Sequence, residues 1–314
     1  MASLIARRLL SLFPTVVIAS LVIFSLTLLL PGDPTIAILG EEASIAEREA
    51  LRRELGLDRP IYVQYLNWIG SILSGDFGTS LRTKEPVLDM LLQRGPVTMQ
   101  LTVLAIFLSV VLGVPLGVVA AVKQNTLFDL IAGTAAVTSL AIPYFWAGIL
   151  LIMAFSVGLS WLPAGGFIPI TQNIWGNLLT MILPALSVGT AMAALVMRQT
   201  RGSLIECMSQ DYIRTARAKG ASEARVVLLH GLRNALVPVA TVIGLQASVM
   251  IGGAVVTETI FSLPGLGRMI VDGVFWRDFT VVQGAILFVV LMVVLINLLT
   301  DIICIMLDPR IAAE

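Results

Sequence analysis

Residues 198–234 read RQTRGSLIECMSQDYIRTARAKGASEARVVLLHGLRN, and long apolar sequence lies on either side. Leu178–Met197 precedes the segment and Ala235–Thr257 follows it, and neither run contains Asp, Glu, Lys or Arg. The segment itself carries seven basic and three acidic residues. An apolar run of about 20 residues is the length that crosses a bilayer, so this is a polar hook between two membrane spans. Within it Leu204, Ile205, Met208, Tyr212 and Ile213 recur at helical spacing and give one apolar face. A solvated linker has no need of that face, whereas a docking element does. The pattern predicts a helix from Gly202 to Lys219, a break at Gly220 and a second helix from Ser222. Gly220 suits the left-handed position that ends a helix, and Ser222 suits an N-cap.

Outward from the hook the same reading repeats. Six uncharged apolar stretches stand at 9–30, 97–122, 130–159, 178–197, 235–257 and 280–300. The third is long enough to tilt or to contain a break. The first is too long for a typical signal peptide, and no small-x-small site follows it before Pro31, so it reads as an uncleaved span. Of the 314 residues, 57% are hydrophobic and 13% are charged, against roughly 25% charged in soluble proteins. Mean hydropathy is +0.95. The chain therefore reads as a single all-α integral membrane domain, residues 1–314. A net charge of zero argues against a nucleic-acid partner.

Six spans place both termini on one side. That side holds Arg7, Arg8, Lys123, the seven basic residues of the hook and Arg310, eleven in all. The opposite short loops hold two, Arg268 and Arg277. The segment 31–96 has seven basic and ten acidic residues, but segments longer than about 60 residues report weakly on orientation. The count predicts cytoplasmic termini, a cytoplasmic hook and an extracytoplasmic segment 31–96.

The spans contain no ionisable side chain through which a proton or sodium gradient could act. The lysines Lys84, Lys123 and Lys219 stand in no GxxxxGK[ST] phosphate loop. Uphill transport would thus need work from another chain. Cys207 and Cys304 make no metal or disulfide spacing, and the single histidine, His230, cannot build a metal cluster or a catalytic triad generously. The spans' polar residues are neutral, among them Thr98, Gln100, Thr134, Asn297 and the candidates for a solute path: Thr138, Ser139, Gln246, Ser248 and Gln283. Interhelical hydrogen bonding is the other reading of each. Gly113, Pro115 and Gly117, with Pro143, Pro184 and Pro238, suggest bent helices around a cavity.

Two outer elements remain. Ile61, Tyr65 and Trp68 lie at i, i+4, i+7 and predict an amphipathic helix, either on the membrane surface or docking a binding protein. SLPGLGR carries Pro264, Gly265 and Gly267, which permit a tight turn, either an outer gate or a plain connection.

Asp211–Ser222, DYIRTARAKGAS, resembles the cytoplasmic motif of binding-protein-dependent ABC importer permeases. The family's leading Glu-Ala-Ala is Arg214, Thr215 and Ala216 here, followed by Gly220 at the motif's spacing, and Pro238 comes later than in the general pattern. Both departures are shared with the dipeptide/oligopeptide/nickel branch. ARRLL (6–10), LLPGDP (29–34), ELGLDRPIYVQYLNWI (54–69), GDFGTSL (75–81), ETIFSLPGLGRMI (258–270), RDFTVVQG (277–284) and LDPR (307–310) extend the likeness to that branch's B-type subunit along nearly the whole chain. The resemblance implies a type I importer permease fold of six transmembrane helices in a bacterial inner membrane. It implies a coupling helix formed by Asp211, Tyr212, Arg214, Thr215, Ala216, Arg217, Ala218, Lys219, Gly220, Ala221 and Ser222. It implies two ATP-binding subunits that carry ATP and Mg, a second related permease and an extracytoplasmic solute-binding protein, with no cofactor and no catalysis on this chain. The implied cargo is a short peptide, the alternatives being nickel, glutathione or another small solute.

Overall fold

The computed structural model describes residues 2–29, 34–40, 42–54 and 56–307. Among them the regular structure is helical, apart from one isolated bridge between Thr79 and Pro86. The helices are α1 (Ala2–Leu29), α2 (Pro34–Leu39), α3 (Ile45–Glu54), α4 (Ile61–Leu73), α5 (Val87–Val122), α6 (Leu127–Ala141), α7 (Tyr144–Leu151), α8 (Ile174–Met208), α9 (Asp211–Ala218), α10 (Glu223–Arg225), α11 (Arg233–Gly253), α12 (Val255–Ile260), α13 (Leu266–Phe275) and α14 (Phe279–Leu307). A π-helical stretch, Ile152–Gly158, extends α7, and another, Val226–Leu232, joins α10 to α11.

Four runs are long and apolar enough to cross a membrane: α5, α8, Glu223–Gly253 and α14. The stretch around 130–159 is a pair of helices, Leu127–Ala141 and Tyr144–Gly158, bent by 97°. α1 contributes the shorter apolar stretch Leu12–Leu26. α8 is the central helix, with 67% of its apolar window inside the molecule, whereas α14 buries 6% of its own.

The prolines fall in two kinds of place. Pro115, Pro184 and Pro238 sit inside unbroken helices. Pro143 stands at the 97° bend, with Ile142 before it in the extended conformation that a following proline favours. The glycines of span 2 bring helices together. A Cβ at Gly113 would lie 2.7 Å from the Ala193 carbonyl, and one at Gly117 would lie 2.7 Å from that of Met197. Gly113 and Gly117 thus let α5 touch the α8 backbone, the small-xxx-small arrangement of membrane helices. α5 also begins at Val87, so the last part of segment 31–96 runs into the span as continuous helix.

Before α5, Ser44 and Glu47 form a reciprocal capping box at the start of α3. α4 packs on α1: Tyr65 hydroxyl and Ser20 Oγ are 2.8 Å apart, and the Phe24 ring lies 5.6 Å from that of Tyr65 and 5.8 Å from that of Trp68. The Tyr65–Trp68 side therefore holds the chain's own first helix. Ile61, Tyr62, Leu66 and Leu73 are the large exposed hydrophobics of α4.

Candidate functional site

The hook is divided differently from its sequence pattern. α8 continues to Met208, turns at Ser209 and Gln210, and α9 starts afresh at Asp211. Ser209 Oγ donates back to the Glu206 carbonyl, and Gln210 is extended, so the predicted single helix from Gly202 is two. Part of its apolar face is also spent internally. Leu204 and Ile213 are fully buried, Leu204 in a cluster with Val227 and Ala235. Each such aliphatic side chain contributes about 2 kcal/mol by its burial. Ile213 thus anchors α9 to the bundle, while Ile205 and Met208 of the same face are half-buried and Tyr212 is exposed.

Beyond α9 the expected break is present in detail. Gly220 has φ +79°, and its N–H donates to the Arg217 carbonyl at 2.9 Å. Ala221 N–H reaches the Ala216 carbonyl at 3.3 Å. These two bonds are the Schellman closure of a helix, which requires the left-handed residue that glycine supplies. Ser222 has the extended backbone of an N-cap, but its hydroxyl makes no capping bond. Arg217 Nε meets Glu223 Oε1 at 2.8 Å across the turn. Both side chains are well exposed, so the pair is worth about 0–1 kcal/mol and orients the turn more than it stabilises it. The resulting tip exposes Asp211, Tyr212, Arg214, Thr215, Arg217, Ala218, Lys219, Gly220 and Ser222, with Ala216 and Ala221 half-buried behind. Tyr212 is tied to the bundle by Asn234 Nδ2, which donates to its hydroxyl at 3.1 Å.

Between the hook and the bend lies a contact invisible in the sequence. Arg201 donates two hydrogen bonds to the Asp129 carboxylate, Nε to Oδ1 at 2.6 Å and Nη2 to Oδ2 at 2.7 Å. Asp129 is buried and also accepts from the Asn125 N–H. The pair ties the first turn of α6 to α8. Its members are 72 residues apart, and nothing local to either announces the other.

A concavity of about 710 Å³ opens where α6, α7 and α8 meet. It is lined by Thr134, Thr138, Ser139, Tyr144, Ser187 and Thr190 among apolar side chains. Two of the five path candidates, Thr138 and Ser139, therefore share one surface. The other three stand elsewhere. Ser248 Oγ bonds Asn297 Oδ1 at 2.9 Å between α11 and α14, and Gln246 and Gln283 are half-buried outside the concavity's lining. Thr134 joins it from α6 and Ser187 and Thr190 from α8, beside Tyr144 of α7.

Elsewhere in the bundle, three further sequence motifs meet. Asp278 Oδ2 accepts from Ser80 Oγ at 2.6 Å, joining GDFGTSL to RDFTVVQG, and Arg82 lies 3.6 Å over the Trp276 ring. Pro264, Gly265 and Gly267 lead into α13, wrapped around the buried carboxylate of Glu258. Gly166 N–H donates to the Phe261 carbonyl at 2.9 Å, so this turn also holds the loop after α7. Glu258 was hidden in the sequence because it reads as the polar residue that merely ends a span.

A helical bundle with a bent third span and a stapled polar hook is the architecture of a transporter's membrane subunit. Residues 113–313 match the family described as "Binding-protein-dependent transport system inner membrane component", and residues 1–102 match its N-terminal counterpart. The chain is 41% identical to the dipeptide transport system permease protein DppB of Escherichia coli K12, over 99% of both chains. It is 43% identical to the glutathione transport system permease protein GsiC of the same strain, again over 99% of both. A chain of the MetNI methionine ABC transporter in an inward-facing conformation superposes with a TM-score of 0.57 at 18% identity, covering 70% of this chain and 96% of that one. This chain belongs to the binding-protein-dependent transport system inner membrane component family, and it is a multi-pass inner-membrane permease subunit of an ABC importer with the expected type I fold.

Proposed function

We propose that the chain forms half of a translocation unit for short peptides, with its termini and the hook 198–234 in the cytoplasm and 31–96 outside. The stapled turn at Gly220 carries this reading. An exposed tip held by two backbone bonds, an ion pair and a partly buried apolar face can transmit force, whereas a slack loop cannot. Two ATP-binding subunits, holding ATP and Mg, receive the tip formed by Asp211–Ser222. A second related permease faces the concavity around Thr138 and Ser139 and completes the path. A solute-binding protein delivers cargo at the outer face, where the loop of Pro264, Gly265 and Gly267 acts as the gate.

Peptide cargo is supported by the relatives' names, dipeptide and glutathione, and by a concavity whose lining offers neutral hydroxyls without a fixed charge. Its test is ATP hydrolysis by the assembled complex in liposomes, with binding protein presented alone or loaded with dipeptide, glutathione or nickel ion. Stimulation by loaded dipeptide or glutathione is expected. Stimulation by nickel alone would overturn the peptide assignment.

A further inference from the structure

α13 begins without a capping side chain of its own. Its N-cap is Gly265, in extended backbone (φ −96°, ψ −178°). The first amide groups of a helix have no partner within it and must find one elsewhere. In α13 they find two residues from other helices. Leu266 N–H donates to Thr98 Oγ1 at 2.9 Å, and Arg268 N–H donates to Glu258 Oε2 at 2.9 Å. The Gly267 amide interacts with the same carboxylate. Thr98 Oγ1 in turn donates to Glu258 Oε1 at 2.5 Å. Thr98, on α5, and Glu258, on α12, are both fully buried.

We infer that Glu258 is the positioning residue of the outer loop: its carboxylate caps α13 in place of the side chain that Gly265 lacks, and through Thr98 it makes the loop move with α5. The two residues exclude each other. A Cβ at Gly265 would overlap the Glu258 carboxylate, so one site can hold a side chain only when the other gives it up. Because α5 packs along α8, whose far end leads into the hook, the loop and the hook sit on connected rigid elements. This inference rests on the gate reading above.

The exclusion supplies the test. Four variants are assembled into the complete transporter: Glu258→Ala, Glu258→Gln, Gly265→Asp and the double change Glu258→Ala with Gly265→Asp. Aspartate at an N-cap accepts from the following amides, and alanine at 258 vacates the space it needs. Hydrogen exchange at the amides of Gly267 and Arg268 reads the cap directly. Hydrolysis with and without loaded binding protein reads the loop's role. Glu258→Ala should speed exchange at those amides by about tenfold or more, since it leaves them without their acceptor. It should abolish cargo stimulation while basal hydrolysis persists. Glu258→Gln, which keeps an acceptor, should be intermediate. Gly265→Asp alone should fail, and the double change should recover both protection and stimulation. Unchanged exchange in Glu258→Ala, or a double variant no better than Glu258→Ala, would overturn the cap. Restored protection without restored stimulation would overturn the positioning role. A parent complex that hydrolyses ATP without any response to cargo would instead count against the proposed function, while the exchange result still decides the cap.

Discussion

Replacing Gly220 isolates the turn's geometry from its contacts. The residue has φ +79°, and no heavy atom lies within 4 Å of an added Cβ, so within this chain the penalty is backbone strain alone. A left-handed L-residue costs about 1–2 kcal/mol, and a stiff β-branched valine belongs at the upper end. The chain can escape by opening the turn, giving up the bonds from Gly220 to Arg217 and from Ala221 to Ala216. Either way the buried anchors Leu204 and Ile213 are untouched, so the helices should insert and purify as in the parent. A partner that needs the closed turn must then repay the strain. The affinity of the ATP-binding subunits should fall about 5- to 30-fold, the factor that 1–2 kcal/mol represents. Asparagine, which tolerates the left-handed region, should lie near the parent, with alanine between asparagine and valine. The assay is titration of purified ATP-binding subunits onto the reconstituted permease, followed by binding and by cargo-stimulated hydrolysis. Gln199→Leu, outside the turn, is the mild control. A valine variant that binds and couples like the parent would refute the reasoning and reduce the hook to an ordinary connector.

Three further outcomes are expected. With Cys207 and Cys304 replaced by serine, a cysteine at Ser222 should react with a membrane-impermeant thiol reagent only from the cytoplasmic side and one at Thr83 only from outside; the reverse would invert the topology. Removing either partner of the pair of buried Asp129 and partly exposed Arg201 should lower stability by about 1–3 kcal/mol, less than for a fully buried pair, and removing both should cost less than the sum; thermal unfolding of the four forms measures it. Gly117→Ile should lower the melting temperature more than Gly133→Ile, because a Cβ at Gly117 strikes the Met197 carbonyl whereas one at Gly133 meets open space.

The membrane class and the hook were legible because apolar length and charge are local properties. Gly220 was legible because its left-handed role follows from the residues on either side. The division of the hook at Ser209 was not, since helical periodicity runs through it and only the backbone shows where the first helix stops. Of the apolar face Leu204, Ile205, Met208, Tyr212 and Ile213, the burial of Leu204 and Ile213 inside the chain was not legible, because periodicity reveals that a face is covered, not by what. The same limit applies to Tyr65 and Trp68, which pack on α1. That Gly113 and Gly117 let α5 touch α8 was not legible, because close contact is a pairwise fact. Glu258 and Asp129 each join a near backbone amide to a side chain 160 and 72 positions away, and helical periodicity reports neither distant partner.

The central claim, that ATP-driven work enters through the turn at Gly220, is tested most directly by site-specific cross-linking in the assembled transporter. A single cysteine at Lys219, in a chain whose Cys207 and Cys304 are serine, is paired with cysteines in the surface groove of an ATP-binding subunit. The account predicts a cross-link from Lys219 whose yield changes between the nucleotide-free and ATP-bound states, and none to the binding protein. Absence of any link to an ATP-binding subunit in a complex that still transports, or a link from Lys219 to the externally added binding protein, would contradict it.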